Sequence, residues 1–187
     1  MLATGLVARI ARWVAGVPRP RTGERSDIPG LDDLNALPAQ DLEELLLRCC
    51  AAPDWARRVT EGRPYASVAD LLAAADAAWA ARGPGDLDAA MAGHPRIGER
   101  RLSGLSAQEQ SGVGTDAATV TALADGNAAY ERRFGHVFLI CATGRGPAEI
   151  LAELNRRMSN DPAIEREVAA AEIGKINDIR LRKLVAA

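Results

Sequence analysis

The chain has 187 residues, 48% of them hydrophobic and 26% charged, with a formal net charge of -2. That length suits one domain with a real core, and the near-neutral balance gives no concentrated basic face of the kind nucleic-acid binding needs. No apolar run approaches the roughly 20 residues of a membrane span, and the cysteines Cys49, Cys50 and Cys141 form neither a disulfide framework nor a metal spacing, so a cytoplasmic setting is the default expectation.

Residues 1–30 read as an extension. Leu2, Leu6, Ile10, Trp13 and Val14 have helical spacing with Arg9 and Arg12 between them, and a Pro-, Gly- and Arg-rich link follows to Gly30. Residues 31–187 read as an all-α domain. Leu37-Pro38 opens a helix with Leu42, Leu45 and Leu46 on one face, Asp54 is placed to cap the turn carrying Trp55, and Gly62 breaks it. Ser67 and Asp70 resemble a capping box ahead of Leu71, Leu72, Ala75 and Trp79, with Gly83 as a left-handed stop. Asp86 is placed to cap a last turn through Leu87 and Met91 that delivers the chain to His94.

Pro95 drives His94 out of the α region, so this imidazole sits on stiff, non-helical backbone. Ser106 and Glu109 have capping-box spacing, which by itself accounts for the glutamate. A longer helix is expected from about Asp116 to Arg133, facing inward through Val120, Leu123, Asn127 and Tyr130, and Gly135 ends it. His136 to Ala142 is too short for a typical helix and too solitary for a sheet, which leaves a buried extended segment. Pro147 opens the next helix, striped by Ile150, Leu151, Leu154 and Met158, and Asn160-Asp161-Pro162 divides it from the last, about 162 to 184.

The last helix carries a misfit. At roughly 100° per residue Arg180 falls within about 20° of Ile173 and between Ile176 and Leu184, on the apolar arc. An inward guanidinium needs an anion, water or ligand, unless it reaches the surface or pairs with a carboxylate such as Glu172.

Chemistry-bearing candidates are therefore His94, Glu109, Gln110 and Arg180. No serine sits in a Gly-x-Ser-x-Gly elbow, no glycine-rich phosphate loop follows a strand, and two histidines with dispersed cysteines argue against a metal. Acid–base chemistry with charge placement is what remains.

An ordered series of marks resembles the family of 2-oxo-4-hydroxy-4-carboxy-5-ureidoimidazoline (OHCU) decarboxylases, which yield (S)-allantoin in urate breakdown. The marks are His94-Pro95-Arg96-Ile97-Gly98, Ser106 to Gln110, Asn127 with Tyr130, Phe134 and Gly135, Arg157 with Asn160-Asp161, and Glu172 with Lys175-Ile176 leading to Arg180-Leu181. Trp55 and Arg63-Pro64-Tyr65 also fit, and the likeness runs from about Leu34 to Leu184. The resemblance implies an all-α homodimeric carboxy-lyase with a small-molecule substrate and neither metal nor organic cofactor. His94 matches the family's acid/base histidine and Glu109 its assisting carboxylate. Pro95, Ser106, Ala107, Gln108, Glu109, Gln110 and the backbone of His136, Val137, Phe138, Leu139 and Ile140 match substrate-contacting stretches, and Arg180 matches an arginine that meets the substrate's anionic part. Many members read Phe-Gly-Phe-Pro-Phe where this chain has Phe134-Gly135-His136-Val137-Phe138, which leaves substrate identity less constrained than reaction type. The competing expectations are a non-catalytic helical interaction module and a lyase or hydrolase of another small ureido acid.

Overall fold

A computed structural model describes residues 30–97 and 117–186. Among them are eight helices: α1 (Leu31–Ala36), α2 (Ala39–Cys49), α3 (Pro53–Glu61), α4 (Val68–Ala80), α5 (Pro84–Ala92), α6 (Ala117–Phe134), α7 (Pro147–Arg157) and α8 (Pro162–Val185). No strand occurs among the described residues, so the all-α expectation holds. The capping-box spacing of Ser106 and Glu109 predicts a helix beginning near residue 107, which lies outside them. The described residues fall into two compact units, residues 30–89 with 176–186, and residues 90–97 with 117–175.

In the first unit α2 packs on α3 and α3 on α4. Leu42, Leu45, Leu46 and Cys49 recur at helical spacing along α2 and are all buried, as the pattern predicts. Trp55 is fully buried, and its indole N–H donates to the Ala75 carbonyl at 3.0 Å, which satisfies the one polar atom of a large apolar ring. Asn35 and the Tyr65 backbone exchange two hydrogen bonds of 2.9 Å, and Arg63 donates to the Leu37 carbonyl at 2.6 Å. These polar ties fasten α1 to the loop after α3, which contains the cis Arg63–Pro64 peptide.

Three local expectations differ from the structure. Asp54 does not cap its own helix, and Asp86 stands inside the first turn of α5 and not at its cap. Instead the buried Asp86 carboxylate accepts the backbone N–H groups of Asp54 at 3.1 Å and Trp55 at 2.9 Å, capping α3 from 31 residues away. A carboxylate there meets otherwise unpaired amides and the positive end of the helix dipole. Gly83 is not left-handed; α4 ends at Ala80 with Ala81 as its cap, while the described glycines with positive φ are Gly135 and Gly144. Ser67 does accept the Asp70 backbone N–H, at 3.1 Å.

Cys50 also belongs to this unit. Burial pushes its thiol up to about 12 from 9.0, against the smaller lowering influences of Asn177 and Arg180. Because the folded value exceeds the unfolded one, the stabilisation is complete below about pH 9 and is lost as pH rises toward 12. Urea unfolding at pH 8 and pH 10.5 should therefore show an alkaline loss to which this thiol adds on the order of 1–3 kcal/mol, and Cys50→Ala should reduce that loss, leaving the part that comes from the raised tyrosine phenols. An equal loss in the variant would contradict this.

In the second unit α6 packs on α7. Leu123, Asn127 and Tyr130 are buried as expected, whereas Val120 is half-buried. Gly126 permits the close approach: a Cβ there would lie 3.0 Å from Leu154. Gly135 takes φ of 76° immediately after α6, a conformation L side chains rarely adopt, and ends the helix as predicted. Residues 137–142 then run outside helix and strand, with Phe138, Leu139, Ile140 and Ala142 buried. Pro147 occupies the first turn of α7, and the Asp161 carboxylate accepts the Ala163 N–H at 2.8 Å to begin α8.

Candidate active site

His94 follows α5 directly, and its backbone N–H still reaches the Met91 carbonyl at 3.4 Å. The side chain is buried, with Nδ1 2.6 Å from the Ala90 carbonyl one turn back. A carbonyl oxygen can only accept, so Nδ1 carries the hydrogen, and in the neutral ring Nε2 holds the basic lone pair. The proline that follows keeps the imidazole off a flexible backbone. The sequence thus delivers a histidine whose tautomer is set by its own helix end.

The loop beyond it is fastened at two points. Arg96 grips the Glu131 carboxylate of α6 with two hydrogen bonds, at 2.5 and 2.7 Å, and holds that carboxyl below its ordinary range. Asn127 donates to the Ile97 carbonyl at 2.9 Å. Ile97 then enters the same apolar cluster as Leu123, Tyr130, Phe138, Ile140, Ile150 and Leu154. Through that cluster the second unit places the His94-Pro95 loop and the 136–142 segment around a single core.

The segment itself is held by charged side chains. Arg157, fully buried at the end of α7, donates to the Leu139 carbonyl at 2.7 Å and stacks 4.7 Å from the centre of the Phe138 ring. Its charge is met by Glu165, also fully buried: Nε donates to Oε1 at 2.8 Å, and Nη2 bonds the same oxygen. The Tyr130 hydroxyl donates to Glu165 as well, and Asn160 Nδ2 donates to its other oxygen at 2.6 Å. Burial raises the Tyr130 phenol well above its ordinary range, and the Glu165 carboxylate adds to the rise. Farther along, the Cys141 N–H donates to Glu172 Oε2 at 2.8 Å while Lys175 holds Oε1 at 2.5 Å. His136 is half-buried, its ring edge-on to Tyr130 at 5.5 Å.

Arg180 belongs to the first unit. It is 6% exposed, so the surface-reaching alternative is excluded, and Nη1 donates to the Cys49 carbonyl at 2.5 Å. Asn177 is buried one turn before it on α8. Ser106, Ala107, Gln108, Glu109 and Gln110 lie outside the described residues. Among those residues no group of three or more His, Cys, Asp and Glu side chains is arranged to hold a metal ion. No described helix is long and apolar enough to cross a membrane.

The sequence reading assigned no role to Arg157 and Glu165. Their signal was present nonetheless: Arg157 falls within about 20° of Ile150 on the α7 stripe, the same misfit that marked Arg180. Glu165 lies four and eight residues before the buried Ala169 and Ile173, on the inner face of α8.

Comparison with known proteins follows the same lines. A uric acid degradation bifunctional protein of Arabidopsis thaliana is 33% identical over 145 residues, 73% of this chain, and the match spans 45% of that protein's length. A 2-oxo-4-hydroxy-4-carboxy-5-ureidoimidazoline decarboxylase of Amia calva is 34% identical over 144 residues, covering 71% of this chain and 81% of the relative. A crystal structure of an OHCU decarboxylase in the presence of (S)-allantoin superposes with a TM-score of 0.70 at 32% identity, covering 78% of this chain and 99% of that one. An (S)-allantoin synthase structure shares the fold, with a TM-score of 0.66 at 18% identity over 84% of this chain and 54% of that one. The OHCU decarboxylase family model matches residues 35–182. With the ordered motifs and all-α architecture in agreement, the chain belongs to the OHCU decarboxylase family.

Proposed function

We propose that this protein decarboxylates OHCU to (S)-allantoin in urate breakdown, with neither metal nor organic cofactor. Family membership supports the reaction. The observation that carries the chemistry is the Nδ1–H bond from His94 to the Ala90 carbonyl, which reserves Nε2 for proton transfer.

Loss of CO2 breaks the bond between the carboxylate and the hydroxyl-bearing ring carbon, and the electron pair moves into the adjacent ring C=N. The ring nitrogen takes one proton from solvent, giving an enol. His94 Nε2 takes the hydroxyl proton as the hydroxyl becomes a carbonyl, and returns a proton to the neighbouring carbon. A fixed donor protonates one face, which produces a single enantiomer. Glu109 orients His94 in this scheme. Pro95, Ser106, Ala107, Gln108, Gln110 and the backbone of His136 to Ile140 contact the substrate, and Arg180 meets its anionic part. Residues 31–187 constitute the decarboxylase domain, with 1–30 as an extension. The protein is read as a homodimer on the family resemblance and as cytoplasmic on its cysteine usage; light scattering at a single-chain mass would remove the dimer.

The test is the decay of freshly generated OHCU with and without purified protein. Accelerated decay with CO2 release is expected, and decay at the buffer rate would favour a non-catalytic helical module. His136 and Val137 favour one further reading, a lyase or hydrolase of another small ureido acid, because they alter the Phe-Gly-Phe-Pro-Phe string at a half-buried position. A panel of ureido acids in which another compound outpaces OHCU would support it.

A further inference from the structure

We infer that Glu172 and Arg157 are positioning residues that aim the backbone of Ile140 at the substrate. The inference rests on the proposed decarboxylase reading and adds to it the device that orients the 136–142 segment.

Ile140 stands between two anchored peptides. Arg157 Nη1 holds the Leu139 carbonyl at 2.7 Å, and Glu172 Oε2 accepts the Cys141 N–H at 2.8 Å. The cis peptide among the described residues is Arg63–Pro64, so both peptides flanking Ile140 are trans. In a trans planar peptide the N–H and C=O point in opposite directions. Fixing the Leu139 carbonyl toward Arg157 therefore sends the Ile140 N–H away from Arg157. Fixing the Cys141 N–H toward Glu172 likewise sends the Ile140 carbonyl away from Glu172. One donor and one acceptor of the same residue are thus set by two side chains from different helices, while the Ile140 side chain is locked in the core with Ile97, Leu123 and Tyr130.

Buried backbone groups require partners, and none of the backbone bonds between described residues outside the helices involves the Ile140 peptide groups. A planar ureido or ring amide supplies the complementary acceptor and donor. The anchors are also unequal in a useful way. Arg157 lies in a fully buried ion pair, whereas Glu172 is 7% exposed and its second oxygen pairs with a Lys175 side chain that is 57% exposed. The Glu172 contact can be altered without breaking the deep pair.

The test compares Glu172→Ala, Glu172→Gln and Lys175→Ala in the full chain, with folding monitored by far-ultraviolet circular dichroism. Glutamine retains a carbonyl acceptor for the Cys141 N–H, alanine does not, and Lys175→Ala removes only the ion pair. Glu172→Ala should raise KM for OHCU about tenfold and weaken inhibition by (S)-allantoin in parallel, while the other two stay within about twofold of wild type. Wild-type KM and inhibition in folded Glu172→Ala would overturn the inference. Should that variant not fold, amide exchange in the isotope-labelled wild-type protein decides. Saturating (S)-allantoin should slow exchange at the Ile140 N–H at least about tenfold, and unchanged exchange with ligand bound would overturn it. Wild-type protein that neither turns over OHCU nor binds (S)-allantoin would instead defeat the decarboxylase reading itself.

Discussion

Replacing His94 with alanine is expected to lower kcat about 10²- to 10⁴-fold while leaving the helical fold in place. The lower bound is the usual worth of general acid–base assistance, and the upper bound applies if the same ring both removes and returns the proton. The side chain lies at a helix end, and one of its bonds is to the Ala90 carbonyl one turn back, an atom whose own helix is held by other bonds. His94→Asn is the sharper variant. An asparagine amide can still donate to Ala90, which preserves the loop, but it has no titratable nitrogen to replace Nε2. Both variants should show wild-type far-ultraviolet spectra and similarly depressed kcat. Retained turnover in the asparagine variant would remove His94 from the chemistry and leave it a loop-shaping role.

The second large effect is on stability. Arg157→Ala should cost about 3–5 kcal/mol, because it strands the Glu165 carboxylate in a site with no access to water. Against a total stability of roughly 5–15 kcal/mol, that loss brings the protein near its threshold at physiological temperature. The same change removes the donor from the Leu139 carbonyl and the cation from the Phe138 ring. Removing both charges in Arg157→Met with Glu165→Met should recover part of the loss, since two apolar side chains need no counter-charge. The recovery stays incomplete because the Leu139 carbonyl and the Tyr130 hydroxyl lose their partners. Urea unfolding of the two variants measures this. A double variant less stable than Arg157→Ala would show that the pair contributes more than mutual neutralisation.

What the sequence made legible follows from where the physics is local. Helix starts at Ser67, Pro147 and Asp161 depend on residues within a turn, and they appear where the letters place them. The inward faces of α2 and α6 follow from periodicity alone, and Gly135 takes the positive φ its position after α6 called for. Asp86 was misassigned because a carboxylate next to a helix start in sequence was assumed to serve that start. Its partners lie 31 and 32 residues earlier, a separation that propensity cannot see. Gly83 failed for a related reason: Ala81 already closes α4 through bonds to the Ala77 and Trp79 carbonyls, so no left-handed residue is required there.

The candidate site divides the same way. His94 stood out because proline and glycine frame it, and the structure adds what no spacing contains, the Ala90 carbonyl that fixes its tautomer. Arg180 was marked by its place on an apolar stripe, and it is buried with a backbone carbonyl as one partner. Arg157 carried the same mark without being given a role, because an apolar stripe shows that a charge is misplaced but not which distant carboxylate receives it. Glu165, eight residues later and beyond a helix break, is that carboxylate. The ties at Leu139 and Cys141 are backbone contacts, for which sequence offers almost no signal.

The stereochemistry of the product tests the central claim most directly. Freshly generated OHCU should be mixed with wild-type protein and with His94→Asn, and the growth of optically active allantoin followed by circular dichroism. One-sided proton delivery predicts a rapid rise to nearly pure (S)-allantoin with the wild type, and slow formation of racemic material with the variant. Racemic product from the wild type, or the same (S)-allantoin at the same rate from both proteins, would contradict the account.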